Sequence, residues 1–578
     1  MTHNNPLEDI KKAFIEHASK IYSIQIDESV FKLEQPPNPE LGDIGIACFP
    51  LAKLMRRPPV EISKHLSESL TTMPHVKEVT PAGPYLNLQI EPASFIQSIS
   101  DCITGSGENY GRSQIGQGRR VMIEYSAPNT NKPQHLGHVR NNVLGKTLSN
   151  ILDAAGYDVI KVNLVNDRGI HICKSMLAYK KWGNDATPAS AGVKGDHFVG
   201  DYYVLYEKKA ADDPALAREA MEMLQKWEQG DSEVVSLWKK MNNWVLKGFD
   251  ETYERLGCDF DKTYYESETY KLGRDIVVKG TEDGVLKKND AGDTVIDLPD
   301  FDTKQKVLLR KDGTSIYITQ DFGTTVLKFK DFSPERCIWI VASEQNLHFK
   351  MLFYILKKLG YEWADRCYHL SYGMVYLPEG KMKSREGRVI DADELMDDLQ
   401  DMAREEVLKR SRDVDEAELE TVSEAVGLGA LKYFMLKVHP QKDINFSPEE
   451  SLSFEGATGP YAQYSYARLS SILRKGGDVF AGSPNFNRLG NAEETKLALL
   501  LAYYPRIVEE SAESLNSARI VAYIFDLAKA INKFHHDHSV LNTGDEELTI
   551  ARGSLIRSAR QVLGNGLKLL GITPLERM

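Results

Sequence analysis

The sequence predicts an α/β protein whose core is a doubly wound parallel sheet, accompanied by a smaller α/β region and an all-α region. Within 121–163 an apolar run, a polar turn, an amphipathic helix and a second apolar run indicate a β-loop-α-β unit. Over 337–377 a short apolar run, typical of a buried parallel strand, precedes a helix and a strand predicted at 372–377. After about residue 417 the strand signals fade and helical periodicity dominates. Because the strands are parallel, we expect ligands outside their carboxyl ends.

The first part of the chain, up to about residue 115, predicts a separate small α/β domain. It alternates as a strand over 85–90, and a glycine-rich linker over 105–118 leads into the parallel sheet. Three stretches have helical patterning, namely 5–24, 47–55 and 60–70.

The composition is that of an ordinary globular protein, without an apolar run that approaches a membrane span. The net charge of −12 argues against nonspecific nucleic-acid binding, but local basic patches and stacking aromatics still permit an RNA partner. The six cysteines are scattered without a C-x-x-C pair, so we expect reduced thiols in a cytoplasmic protein and no structural metal.

The loop of the β-loop-α-β unit carries His135-Leu-Gly-His138 at the start of the predicted helix. Free backbone N–H groups and the positive end of the helix dipole meet there, so the loop can hold phosphate. Gly137 lets a ligand approach the backbone closely. On its own the pattern fits a helix-capping pair of surface histidines equally well.

A second motif, Lys381-Met-Lys-Ser-Arg-Glu-Gly387, directly follows the strand predicted at 372–377. The two motifs together resemble the HIGH and KMSKS signatures of class I aminoacyl-tRNA synthetases. Two further stretches resemble the arginyl-tRNA synthetase family more narrowly: Ser126-Ala-Pro-Asn-Thr-Asn-Lys-Pro133 and Phe454-Glu-Gly-Ala-Thr-Gly-Pro-Tyr-Ala-Gln-Tyr464. The resemblance covers the whole chain.

This resemblance implies a class I synthetase fold in three domains. An N-terminal tRNA-contacting domain covers 1–115. A Rossmann-like catalytic domain covers 116–412 and includes a connective insertion near 164–310. An all-α anticodon-binding domain covers 413–578.

The resemblance also implies the reaction, an ATP-dependent ligation of L-arginine to tRNA(Arg) through an arginyl-adenylate, giving AMP and diphosphate. Mg²⁺ accompanies ATP, and arginyl enzymes commonly require the tRNA before they activate arginine. By analogy with the family, we expect a monomer that contacts no membrane.

The charge that develops on phosphate oxygens in this reaction needs positioned donors and cations more than a nucleophile. By resemblance, the catalytic residues are Lys132, His135, His138 and Lys381. The ATP-binding residues are Pro128, His135, Gly137, His138, Lys381, Met382 and Ser384. Ser384 stands where the family pattern has its second lysine, and we expect Lys132, three residues before His135, to supply the missing charge.

Arginine offers five N–H donors in a planar fork, so its pocket should present paired acceptors. By resemblance, the arginine-binding residues are Glu124, Asn129, His138, Glu266, Tyr317, Asp321 and Gln345. Tyr317 and Asp321 are spaced i and i+4, so a helical turn places both on one face, and we expect Asp321 to be the main guanidinium acceptor. Without the resemblance, a capping aspartate beside a core tyrosine is the better interpretation of this pair.

For tRNA, the resemblance implies contacts from both flanking domains. Tyr461, Tyr464 and Arg468 have helical i, i+3, i+7 spacing and can stack unpaired bases and hold phosphate, although such a tyrosine stripe also fits a helix core. Asn87 is the candidate base contact in the N-terminal domain. The full predicted set is Asn87, Tyr461, Gln463, Tyr464 and Arg468.

Two alternative functions compete with this interpretation. One is another class I synthetase such as the cysteinyl type, whose cysteine selection resembles a zinc site, and no such cluster stands out in the sequence. The other is a noncatalytic tRNA-binding relative with a decayed active site. Ser384 favours decay, whereas five intact positions argue against it: His135, Gly137, His138, Lys381 and Asp321.

Overall fold

The computed structural model describes residues 5–36, 38–377, 390–410 and 415–578. The chain forms two compact units, of which the first combines Met1–Ser113, Ser453–Ser511 and Arg519–Met578. The second combines Gln114–Leu452 and Ala512–Ala518. Among the helices in the described ranges, no segment has the length and apolar character that a membrane crossing requires.

The N-terminal part of the first unit is a four-stranded antiparallel sheet with four helices. The strand at 85–90 and all three helical stretches predicted from the sequence are confirmed to within a few residues. Across the sheet the strands are Leu33–Glu34, Ile44–Ala47, Tyr85–Ile90 and Val76–Ala82. The helices are Pro6–Tyr22, Phe49–Met55, Pro59–Ser69 and Pro92–Ser106.

The C-terminal part of the same unit is helical, as predicted, and packs on the N-terminal part through buried polar contacts. The hydroxyl of Tyr110 donates to the carbonyl of Leu501 (2.8 Å), and the side-chain amide of Asn565 donates to the carbonyl of Tyr110 (3.0 Å). Buried groups of this kind are costly to leave without a partner, so these bonds favour one register of the two parts. The helices are Gly459–Gly476, Ala492–Ser514, Ala518–Asp537 and Glu546–Leu569.

The second unit is built on a five-stranded parallel sheet, which confirms the predicted fold class. Its central strand, Arg120–Glu124, is buried from Val121 onward, as expected for a strand that is covered on both faces. Across the sheet the strands are Cys367–Tyr372, Arg336–Ala342, Arg120–Glu124, Asp158–Val165 and Lys262–Tyr265.

Many helices and two small sheets complete the second unit. The helices are Leu136–Ala154, Ile170–Trp182, Pro188–Ala191, Gly195–Asp212, Ala215–Glu228, Ser232–Leu256, Glu266–Thr269, Leu272–Glu282, Tyr317–Phe332, Asn346–Lys358, Ala392–Arg410, Glu416–Leu436 and Pro448–Ser451. An antiparallel sheet has the strands Gln305–Leu309, Thr294–Asp297 and Lys287–Lys288. Val375–Tyr376 pairs in parallel with Ile444–Asn445.

The helix Leu136–Ala154 (the signature helix) lies between the central strand and its neighbour in sequence, which confirms the predicted β-loop-α-β unit. A glycine is required in its middle, because a Cβ on Gly145 would lie 2.2 Å from the ring of Tyr125. The turn after the helix uses Gly156 with φ of +83°, a conformation that glycine adopts without strain. The loop between the central strand and the signature helix, residues 125–135, therefore has a rigid element at each end.

The strand predicted at 372–377 is shifted in the structure, where the sheet strand covers Cys367–Tyr372. The prediction was wrong because Gly373 ends the strand. A Cβ on this glycine would lie 2.5 Å from the carbonyl carbon of Lys442, so the chain turns there against another backbone segment. After Met374, the short strand Val375–Tyr376 pairs outside the parallel sheet.

A fully buried arginine in the signature helix fixes this turn. The guanidinium of Arg140 donates to the carbonyls of Gly373 (2.5 Å) and Met374 (3.2 Å), and to those of Pro440 (3.1 Å) and Lys442 (2.7 Å). Burial lowers the pKa of Arg140 to about 10, so the guanidinium remains charged at neutral pH. Carbonyl dipoles thus solvate a buried cation and join the helix to two chain segments.

Candidate active site

The loops that carry the predicted site residues follow the carboxyl ends of the parallel strands. The central strand ends at Glu124, and the 126–133 turn follows it. Glu266 comes directly after the edge strand Lys262–Tyr265, and Gln345 follows the strand Arg336–Ala342. Since parallel strands share one direction, these loops meet at the same edge of the sheet.

Buried polar side chains hold the start of the 126–133 turn. Ser126 and Ala127 have φ values of 77° and 51°, which non-glycine residues rarely adopt. The N–H of Ser126 donates to Asn141 Oδ1 (2.6 Å), and the N–H of Ala127 donates to Asn163 Oδ1 (3.0 Å). The hydroxyls of Ser126 and Tyr253 lie 2.7 Å apart. The surroundings therefore determine this strained backbone, as they often do at functional sites.

The rest of the turn is tied to the strand beside it. The carbonyl of Pro128 accepts from the N–H of Asn166 (2.9 Å), which places Asn129 opposite Asn166. Pro128 is buried, whereas Asn129 and Lys132 are half-buried.

Both signature histidines accept hydrogen bonds from the backbone through Nδ1. Gly137 N–H donates to His135 Nδ1 (3.1 Å), and His135 N–H donates to His138 Nδ1 (3.2 Å). Burial and the charge of Lys132 lower the pKa of His135 to about 4. Burial, His135 and Lys132 hold the pKa of His138 well below its ordinary value. The rings are therefore neutral at pH 7 and carry their hydrogen on Nε2.

This arrangement caps the helix, so the capping interpretation is correct for the geometry, although the side chains are half-buried rather than on the surface. Capping uses only Nδ1. Each Nε2–H remains a donor at the helix N-terminus, where an anion is also favoured.

The second signature lies outside the described residues, with Lys381, Met382 and Ser384 among them. The described chain resumes at 390 and pairs with the histidine loop: Leu136 N–H donates to the carbonyl of Ile390 (3.0 Å), and Ala392 N–H donates to that of Gln134 (2.9 Å). Ile390 and Ala392, which follow 378–389 in the sequence, therefore lie beside the histidine loop.

Glu124, predicted to bind arginine, forms a buried ion pair with Lys328 of the helix Tyr317–Phe332. Their side chains are only 6% and 2% exposed, so each charge depends on the other for compensation. Lys328 was missed in the sequence. Its spacing of seven residues from Asp321, on the same helix face, was the available signal.

The predicted guanidinium contacts gather at the start of that helix. Tyr317 is its first residue and is 81% exposed, and Asp321 lies one turn later, as predicted. Glu266 is close enough to Asp321 for the two carboxylates to repel each other. Gln345, after the strand Arg336–Ala342, is exposed. A further residue missed in the sequence, His348, bonds to Asp321 through Nε2 (2.7 Å).

The carboxyl group of Glu266 has a raised pKa. Burial raises its pKa to about 7, and Asp167 and Asp321 contribute in the same direction, while Arg168 opposes them. Arg168 is itself held between the rings of Tyr270 (3.9 Å) and Trp227 (5.4 Å). Arg168 therefore compensates the Glu266 carboxylate only in part.

The predicted tRNA contacts belong to the first unit. Tyr461, Tyr464 and Arg468 are half-buried on the helix Gly459–Gly476, and the Arg468 guanidinium lies 4.7 Å from the Tyr464 ring centroid. Gln463 is buried and donates to the carbonyl of Thr573 (2.9 Å).

Asn87, the predicted base contact of the N-terminal part, is 4% exposed. Tyr85 lies two residues earlier on the same strand face and is 37% exposed, with its ring 5.8 Å from that of Phe49. Sequence reasoning missed this aromatic pair, although the strand alternation would have placed Tyr85 beside Asn87.

We predict that Lys328→Met lowers the free energy of unfolding of the second unit by about 3–5 kcal/mol, because it leaves the Glu124 charge buried and unpaired. Urea denaturation measures the loss. The double variant Glu124→Gln/Lys328→Met should regain most of it. Lys357→Met, in an exposed pair with Asp365, is the matched control and should cost less than about 1 kcal/mol. Equal losses in the single and double variants would contradict the pairing.

Comparison with known proteins adds to this geometry. A family model described as "tRNA synthetases class I (R), catalytic domain" matches 101–447. A DALR anticodon binding domain matches 462–578, and an arginyl tRNA synthetase N terminal domain matches 8–90.

Similar proteins agree along the whole chain. The arginine–tRNA ligase of Treponema denticola is 45% identical over 557 residues, covering 94% of each chain. That of Parabacteroides distasonis is 42% identical over 597 residues, covering 99% of each. The solved Thermus thermophilus arginyl-tRNA synthetase is 27% identical with a TM-score of 0.83, covering 99% of this chain and 100% of its own. The matches cover the N-terminal, central and C-terminal parts of the chain, and the chain belongs to the arginyl-tRNA synthetase family.

Proposed function

We propose that this chain joins L-arginine to tRNA(Arg) through an arginyl-adenylate, with MgATP as co-substrate. An oxygen of the arginine carboxylate attacks the α-phosphorus of ATP, and the bond to the bridging β-oxygen breaks to release diphosphate. A ribose hydroxyl of the tRNA 3′ end then attacks the arginyl carbonyl, and AMP leaves. From the family resemblance we further propose a cytoplasmic monomer.

The observation that carries this proposal is the neutral histidine pair. In the first step negative charge spreads over phosphate oxygens, and preorganised donors stabilise that charge without having to reorient. Because Nδ1 of His135 and of His138 accepts from the backbone, each ring offers a fixed Nε2–H donor. Pro128 and Gly137 let the ATP approach the backbone of the same loop.

Cations supply the remaining compensation for the phosphates. Lys132 lies in the turn directly before the histidines, and its charge already acts on both rings. We assign it the role of the lysine that Ser384 replaces. Lys381, with Met382 and Ser384, completes the ATP contacts from the second signature.

We predict that Lys132→Ala lowers the rate of adenylate formation by about 100-fold or more, because one positioned group is lost from the transition state. Arginine-dependent exchange between ATP and labelled pyrophosphate measures that rate. Lys180→Ala is the control, since Lys180 forms an exposed ion pair with Glu233 and is not among the proposed substrate contacts. A rate within a few-fold of wild type would remove Lys132 from this role.

The arginine substrate lies in this proposal between the sheet edge and the helix Tyr317–Phe332. Glu266 and Asp321 act as a pair of acceptors for the guanidinium fork, which also separates arginine from lysine. Tyr317 and Gln345 border the same pocket. Glu124, Asn129 and His138 contact the α-amino and carboxylate end.

We predict that Asp321→Asn raises the KM for arginine by about 30-fold or more, because the guanidinium loses its charged acceptor. Steady-state aminoacylation measures KM, and Asp365→Asn, an exposed aspartate paired with Lys357, serves as control. An unchanged KM would exclude Asp321 from the pocket.

Glu266 makes arginine binding depend on pH. With its pKa raised to about 7, Glu266 holds a proton below that pH in the free enzyme, and a bound guanidinium favours the ionised form. We predict that the Kd for arginine falls as pH rises from 6 to 8, with release of a proton on binding. Calorimetry in two buffers of different ionisation enthalpy measures both effects. Glu266→Gln should abolish the proton release, and proton release that persists in this variant would contradict the assignment.

We propose that the first unit binds the tRNA through aromatic and basic side chains on both of its parts. Tyr461, Tyr464 and Arg468 form one half-buried helix face suited to stacking, and Gln463 holds that helix to the chain end near Thr573. Asn87 remains our candidate in the N-terminal part, with exposed Tyr85 beside it as the group that a base can stack on.

A further inference from the structure

A polar cluster in the second unit joins the connective insertion to the segment 391–393. The Lys194 ammonium bonds to Asp393 Oδ2 (2.7 Å), to Asp196 Oδ2 (3.2 Å) and to the hydroxyl of Thr252 (2.5 Å). His197 Nε2 bonds to the same Asp393 oxygen (2.8 Å) and lies 3.5 Å from Asp391 Oδ1. None of these side chains belongs to the proposed substrate contacts.

The cluster is next to the histidine loop through the backbone. Asp391 lies between the two residues that pair with that loop, Ile390 and Ala392. Asp391 also accepts from the N–H groups of Asp393 (2.8 Å) and Glu394 (3.2 Å), at the start of the helix Ala392–Arg410. Asp391 and Asp393, which Lys194 and His197 bind, therefore lie at the point where the chain leaves the histidine loop and enters that helix.

The insertion helix Gly195–Asp212 also touches the turn before the histidines. A Cβ on Gly200 would lie 2.8 Å from Cδ of Pro133 and 3.5 Å from Cα of Lys132. One helix of the insertion thus contacts both the 126–133 turn and, through His197, the 391–393 segment.

A metal ion is not the better explanation of this cluster. Ligand atoms of Asp196, His197 and Asp393 lie within 4.8 Å of one another, a spacing that suits a cation. The Lys194 ammonium, however, already bonds to both carboxylates. The ammonium of Lys194 and the imidazole of His197 face three carboxylates, so the cluster is a network of ion pairs in which the acidic groups outnumber the basic groups by one.

We propose that Lys194 and His197 are positioning residues of the insertion, which hold Asp391 and Asp393 and thereby fix residues 390–392, directly after the second signature in sequence, beside His135. This inference rests on the proposed role of the second signature in binding ATP. The ion pairs make the ATP contacts depend on the placement of the insertion, without any contact between the two cations and the substrate.

The charges of the cluster agree with this role. The groups that face His197 are Lys194 and Asp196 on its own helix side, Asp391 and Asp393 on the opposite segment, and the uncharged Thr252. Burial lowers the pKa of His197, but the bond to Asp393 and the charges of the three aspartates outweigh it and raise the pKa to about 9. The same contacts hold the pKa of Asp393 at about 2. Stabilisation by protonated His197 is complete below its ordinary pKa of 6.5 and is lost as pH rises through about 9.

The test is pyrophosphate exchange by the full chain with tRNA present, with the KM values for ATP and for arginine measured separately. In His197→Gln we expect the KM for ATP to rise about tenfold, because residues that act through a network of contacts typically have effects of this size. The KM for arginine should stay within about twofold of the wild-type value. His536→Gln, an exposed histidine beside Asp537, is the matched control and should change neither constant. Asp393→Asn is the second variant and should reproduce the effect of His197→Gln.

A pH profile separates positioning from a general loss of structure. In the wild type the KM for ATP should rise as pH increases through about 9, and in His197→Gln this alkaline rise should be absent. An unchanged KM for ATP, equal changes in both KM values, or an alkaline rise that persists in the variant would overturn the proposal. Failure of the proposed function would be distinguishable, because the wild type itself would then show no arginine-dependent exchange.

Discussion

The common direction of the five parallel strands is the constraint on which the rest of the second unit depends. Because every strand ends at the same edge, residues far apart in the chain, such as Glu124, Glu266 and Gln345, arrive there together. The helix Tyr317–Phe332 then returns to that edge and adds Asp321 and Lys328. The signature helix adds the two histidines at its positive end. No single loop carries the site, so its geometry depends on the register of the whole sheet.

The charges at the edge of the sheet are compensated only in part. The edge of the sheet combines neutral histidines, a carboxyl group whose pKa is raised to about 7, and one charged pair, Glu124 with Lys328, that is almost wholly buried. A buried arginine bound by carbonyl dipoles, Arg140, anchors the chain on one side of the 378–389 segment, and pairing with the histidine loop anchors it on the other. In the proposed function, these preorganised groups bind the phosphates of ATP and the guanidinium of arginine.

The sequence predicted the architecture well because hydrophobic period and turn chemistry are local. The β-loop-α-β unit around His135, the buried strand at 337–342 and the C-terminal helices all follow from such patterns. The strand predicted at 372–377 was misplaced because the contact of Gly373 with Lys442 is nonlocal. For the same reason the partners of predicted residues were missed: Lys328 for Glu124 and His348 for Asp321 meet them only in the folded chain. Burial was equally invisible, as Asn87 shows.

We propose above that the loop of His135 and His138 stabilises the activation of arginine on ATP. Exchange of labelled pyrophosphate into ATP, with and without arginine and tRNA(Arg), tests it most directly. We expect exchange that requires arginine and, from the family resemblance, appears only when the tRNA is present. Exchange without tRNA would retain the adenylate and remove only the coupling to tRNA. Absence of exchange under both conditions, in a protein that still binds the tRNA, would contradict adenylate formation and favour a noncatalytic tRNA-binding relative.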